Sequence, residues 1–214
     1  IHSEETNSNK GVAILLPDWH QVATNPKGLN NLREKLPQQG WTVIAIQPSA
    51  KPKNYPSQAL EKAQRQQDNL ATLDRYQEGL NQIMLTVMEK AKNYPGIFMV
   101  ISEGSHAAIL THLFQQNEQL APHMLVVLSS YMSNEVADIQ YASLLAASSF
   151  PVLDLYLKRD HPMAIHSASR RKIQAKKQMK ANYRQRQLNN MTPGYYPKQG
   201  LLTEINSWLR ASGW

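Results

Sequence analysis

There is no cysteine in these 214 residues. That excludes disulfides, a thiolate metal site and a cysteine nucleophile. No apolar run approaches the ~20 residues that a membrane-spanning helix needs. Glycine is sparse, and no Gly-rich turn follows any apolar run in the pattern that cradles a phosphate or a dinucleotide. No histidine follows His166. Acids are almost missing from one segment: between Lys158 and Arg186 ten Lys/Arg accompany a single acid, Asp160. That segment carries +9 in a chain of net +7, so the basicity is local and the remainder is slightly acidic.

What is present alternates. The runs "GVAILLP" (11–17), "WTVIAIQP" (41–48), "IFMVIS" (97–102), "HMLVVLSS" (123–130) and "FPVLDLYL" (150–157) are short, continuous and apolar, the pattern of strands buried on both faces. A weaker strand is expected near "YRQRQL" (183–188). Helical spacing runs through 26–40 and a Gln-rich stretch from Ser57 to about Lys92. It returns over 105–116, 134–148 with Asn134 as cap, 167–183, and 198–212. Residues 1–10 are polar and are expected to form a flexible segment, with 11–214 as one domain. Alternating buried strands and helices predict an α/β fold, a mostly parallel sheet flanked by helices on both faces. In such sheets ligands bind beyond the carboxyl ends of the strands.

The order of elements resembles the α/β-hydrolase fold over nearly the whole chain, without a large cap domain. "ILLPDWHQ" is similar to the family's first-strand loop, "LREKLPQQGWTVIAIQPS" to its helix, G-W-x-V turn and strand, and "PVLDLYLKRDHP" to the strand before the triad acid. "LLTEINSWL" resembles the closing helix. Closest is a proteobacterial branch without assigned function, in which a Gly commonly holds the nucleophile position. The resemblance, the start without Met and the absent cysteines together lead to the expectation of an exported protein, periplasmic or secreted.

The segment "VISEGSHAA" (100–108) resembles the family's nucleophile elbow, a sharp strand-to-helix turn with small residues on either side of the nucleophile. The best register places Gly104 at the apex, and glycine has nothing to attack with. Asp160 falls at the acid position. The base should come from "NNMTPGYYPKQG" (189–200), where Asn189, Asn190, Tyr195 and Tyr196 are the polar groups and none is a general base at neutral pH. The three roles of such a triad work as a unit. The expectation is therefore a catalytically degenerate member that binds a ligand or protein partner, without cofactor or metal, through a vestigial cleft of Asp18, Trp19, His20, Glu103, Gly104, Ser105 and Asp160.

Two alternatives stand beside it. An active esterase could use a non-standard site, Ser102 or Ser105 with His106, although His106 reads more simply as a polar residue lining the cleft. A binder of anionic surfaces could use the basic segment 158–186 through Arg170, Arg171, Lys172, Lys176, Lys177 and Lys180. Glu103 with Asp160 as an acid/base pair, and His161 with His166 as metal ligands, are weaker readings, the second because a five-residue spacing matches no ligand signature. Nucleic acid is disfavoured, since the basic segment lacks interleaved aromatics and any binding motif.

Overall fold

The structure, a computed structural model, describes every residue except Glu4, Glu5, Asn7, Ser8, His20 and Ala23. Strands and helices alternate: β1 (Gly11–Leu16), α1 (Leu29–Lys35), β2 (Trp41–Ala45), α2 (Lys62–Ala91), β3 (Ile97–Glu103), α3 (Gly104–Gln116), β4 (Met124–Leu128), α4 (Glu135–Ala147), β5 (Val152–Leu157), α5 (Pro162–Lys177), β6 (Tyr183–Leu188) and α6 (Lys198–Ala211). The six strands form one parallel sheet in the order β2-β1-β3-β4-β5-β6. The predicted α/β architecture is therefore present, with no separate cap domain among the described residues.

The apolar runs are strands because both of their faces are covered. Val12, Ile14 and Leu16 join one core cluster, and Ala13 and Leu15 join the other. The first cluster takes Leu80, Met84 and Val87 of α2, Leu110 and Leu113 of α3, and Tyr141 and Leu145 of α4. The second takes Leu29 and Leu32 of α1 and Leu201, Ile205, Trp208 and Leu209 of α6. α5 lies on the α4 side, where Arg171 reaches Asp154 of β5 from the same face as Val152. Asn134 caps α4, its Oδ1 accepting from Ala137 N at 3.2 Å.

Two helices begin five residues away from the pattern-based expectation. α2 begins at Lys62 rather than Ser57, because Ser57 folds back onto the helix, its N–H donating to Asn69 Oδ1 (2.7 Å) and its Oγ to Asp68 Oδ2 (2.8 Å). α5 begins at Pro162 rather than Ser167. Proline suits the first helical turn, and His161 caps it, Nδ1 accepting from Met163 N. It ends at Lys177, after which Met179 turns left-handed (φ 52°). In the amino-terminal segment, His2 pairs with Val43 at the free edge of β2 by two backbone hydrogen bonds.

Candidate functional site

From β1 the chain moves outward through α1 to β2, then returns through α2 to β3 on the other side of β1. The winding direction thus reverses between β1 and β3, the place where sheets of this kind offer a crevice at the strands' carboxyl ends. The register Leu16↔Ser102 aligns those ends, bringing the loop after β1 against the β3–α3 turn. Glu103 is still extended (φ −110°, ψ 147°), and Gly104 begins α3 at φ 60°. A non-glycine residue is strained at that φ. A Cβ on Gly104 would lie 2.1 Å from Asp18 Cγ and within 2.6 Å of both carboxylate oxygens. Asp18 Oδ1 accepts the Ser105 N–H at 2.9 Å. In an elbow of this kind the N–H following the nucleophile helps to hold the oxyanion. Here the chain's own carboxylate has it.

The acid position is also occupied. Asp160 Oδ2 accepts from Leu157 N (2.9 Å) and Ser129 Oγ (2.6 Å), and Oδ1 from His161 N (2.8 Å). These bonds close the turn after β5. Ser129 follows β4 with a left-handed backbone (φ 46°), a strained conformation for serine that its contacts to Asp160 and Tyr196 pin in place. From the segment where a base was sought, Tyr196 comes inward: its hydroxyl lies 2.6 Å from Ser129 Oγ and 3.2 Å from the Leu155 carbonyl. Burial and the nearby Asp160 raise its pKa well above the usual tyrosine value, so it stays protonated.

Glu103 is buried beneath Asp18. Desolvation, then the charges of Asp18 and Asp160, push its carboxyl up to about 7, against the opposing pull of Lys27 and a hydrogen bond from the Asp18 backbone. Asp18 and Asp160 thus act on Glu103 through their charge. Among the described residues no group of three or more His, Cys, Asp or Glu is placed to hold a metal ion.

His106 is fully buried on the first turn of α3. Its Nδ1 lies 2.6 Å from the Pro17 carbonyl and must donate to it; Nε2 lies 2.7 Å from Tyr76 Oη. Burial lowers its pKa to about 4. The ring stacks on Tyr76 and meets Trp19 edge-on, with Tyr55 closing the cluster and Lys51 above it. Among the described residues no hydrogen bond joins His106 to Ser102 or Ser105, and the buried Ser102 Oγ has no partner. Trp19 thus belongs to an aromatic plug rather than to an open cleft. His20 lies outside the described residues.

Open space lies at the same end of the sheet, at the starts of the helices that follow β4 and β5. A cavity of about 300 Å³ sits between the starts of α4 and α5, lined by Met132, Ser133, Pro162, Met163, His166 and Arg170. His161, stacked on Tyr131 at 4.9 Å, and His166, bonded to Arg170, do not converge on Asp160.

The basic segment needs a correction. Arg171 does not belong to a surface patch: its side chain is fully buried in a bidentate pair with Asp154 (2.7 and 2.8 Å), with Ser167 Oγ and the Ser130 carbonyl also accepting. Arg170 is neutralised by Asp138 and Glu135. Lys180 is half-buried against the Ser148 and Phe150 carbonyls, and desolvation lowers its pKa to about 8. Of the six cations, Lys172, Lys176 and Lys177 are exposed.

Sequence reasoning missed Ser129, Lys27, Tyr76 and the Asp154–Arg171 pair. No local pattern marks the first three. An aspartate inside an apolar strand was the available signal for the last.

A family model described as "Protein of unknown function (DUF3530)" matches residues 1–78 and 50–211. No curated protein matches in sequence. Solved structures match over nearly the full chain at low identity. Esterase PE8 is 13% identical, with 98% of this chain and 95% of that one covered at a TM-score of 0.66. The Zea mays acyl-protein thioesterase 2 is 16% identical, with 97% and 95% covered at 0.61. A putative dienelactone hydrolase from Klebsiella pneumoniae is 12% identical, with 97% and 89% covered at 0.59. The fold shared with these structures is that of the α/β-hydrolases.

Proposed function

From the premise that this chain belongs to the family described as "Protein of unknown function (DUF3530)" and has the α/β-hydrolase fold, we propose that it acts by binding a ligand or protein partner, without hydrolysing it. One observation carries the reading: the Asp18 carboxylate fills the space above Gly104 and takes the Ser105 N–H. An attacking atom and a developing oxyanion need those two places. In a conventional hydrolase of this fold the first is a side-chain oxygen and the second is substrate. Here both are claimed by a negative charge, which repels an oxyanion instead of stabilising it.

The remaining positions support the same reading. Asp160 is engaged by backbone N–H groups and Ser129, and Tyr196 stands in the segment where a base would lie. His106 spends both ring nitrogens on Pro17 and Tyr76. The ligand surface we assign is the cavity between α4 and α5, near the lower end of the size range for small-molecule sites. Met132, Pro162 and Met163 suit an apolar group, while Ser133, Glu135, Asp138, His166 and Arg170 make the rest of the lining polar.

A serine-reactive fluorophosphonate tests this directly. The expected result is no adduct on the intact protein by mass spectrometry. Stoichiometric labelling of Ser102 or Ser105 overturns the reading in favour of an esterase with a non-standard site.

A further inference from the structure

The outer face of α5 has an inverted composition. Inward it buries only small or polar residues, Ala164, Ser167, Ala168, Arg171 and Ala175. Outward, Ile173 is 64% exposed, and Met179 in the turn that follows is 87% exposed. Ile173 thus lies on the helix face opposite the buried residues, where an amphipathic helix is ordinarily polar. Beside Ile173 stand exposed Lys172, Lys176 and Lys177, the last two three and four residues further on and therefore on its face. None of these lysines enters an ion pair among the described residues. From residue 161 to the end the sequence holds one acid, Glu204, and Arg184 already pairs with it.

We propose that this face docks on an anionic phospholipid bilayer, with the lysines on lipid phosphates and Ile173 and Met179 inserted between headgroups. Charge complementarity selects an anionic surface, and the apolar pair selects a bilayer over a soluble polyanion, which offers nothing for Ile173 and Met179 to enter. A second copy is a poor occupant because two such faces repel. The pattern suits an interface: Lys176 and Lys177 flank Ile173 along the helix, and exposed Met179 lies just past its end.

The site is independent of the crevice at Gly104. α5 follows β5 and leads into β6, which runs parallel to β5. The carboxyl end of α5 therefore lies at the amino-terminal end of the sheet, opposite the cavity between α4 and α5. Docking there leaves that cavity open to solvent.

The test is co-sedimentation of the whole chain with vesicles of phosphatidylcholine containing phosphatidylglycerol, against phosphatidylcholine alone. Binding is expected only to the anionic vesicles. It should fall steeply as salt shortens the screening length from about 10 Å at 0.1 M to about 3 Å at 1 M. The variant K172Q/K176Q/K177Q is expected to bind roughly 100-fold more weakly, about five-fold for each lysine. I173S/M179S should weaken vesicle binding yet leave heparin binding unchanged. Melting temperatures should match the parent, since all five side chains are in solvent. Equal binding to neutral vesicles, or full binding by the triple lysine variant, overturns the proposal. So does full vesicle binding by I173S/M179S, which assigns the face to soluble polyanions.

Discussion

Glu103 is buried within electrostatic reach of Asp18 and Asp160, and its ionisation should be visible in the stability of the whole protein. Its carboxyl titrates near 7 in the folded state, against 4.5 for the free group. Between those values the folded chain holds a proton that the unfolded chain has released, so stability falls as pH rises through this window and levels off above about 7. At ~1.4 kcal/mol per unit the full effect is about 3 kcal/mol. Glu103→Gln should therefore stabilise the protein at pH 8 and flatten its melting profile between pH 5 and 7. A parent protein whose Glu103-dependent stability rises with pH over that range contradicts the assignment. One residue on, Gly104→Ala meets both a left-handed backbone and the Asp18 carboxylate. The loss expected in urea denaturation is about 2 kcal/mol or more. In the Asp18→Ala background the loss should shrink, because the clash is gone and only the backbone term remains. Additive losses would place Asp18 elsewhere.

At the scale of elements, α5 is held by charge rather than by apolar packing. Arg171 enters from α5, Asp154 from β5, and Tyr183 and Gln185 of β6 add hydrogen bonds to the same carboxylate. Ser130 links this network to Tyr141 of α4. Every charged atom has a partner, which is the condition under which a buried ion pair is tolerated. Arg171→Ala leaves Asp154 charged and unpaired in a dry interior, and should cost about 3–5 kcal/mol in urea denaturation. Arg171→Met paired with Asp154→Leu should recover most of that loss, since the desolvation penalty goes with the charges. A small effect of Arg171→Ala would mean that water reaches the pair.

Across the whole molecule, charge and chemistry are segregated. The carboxyl end of the sheet gathers Asp18, Glu103 and Asp160, while the segment from α5 onward carries the basic excess. A docked orientation follows from that separation: the face led by Lys176 and Lys177 meets an anionic surface while the crevice faces away. The strand runs and the final helix were legible in sequence because burial on both faces leaves continuous apolar runs and a single apolar stripe leaves helical spacing. Gly104 at the apex was legible for a similar reason: the turn's demand for small residues fixes the register locally. Arg171 was not. Linear composition groups it with its basic neighbours, and only the position of Asp154 across the α5–β5 interface takes it inside.

The layered α/β fold and the missing side chain at residue 104 can be read from the amino-acid order, because apolar period and turn chemistry act between near neighbours. It takes the folded chain to set Asp18 over that glycine, to close Tyr196 and Ser129 on Asp160, and to leave Lys172, Lys176 and Lys177 as the exposed cations among the six. Those outcomes depend on contacts between residues tens of positions apart, and on which groups burial allows to stay charged.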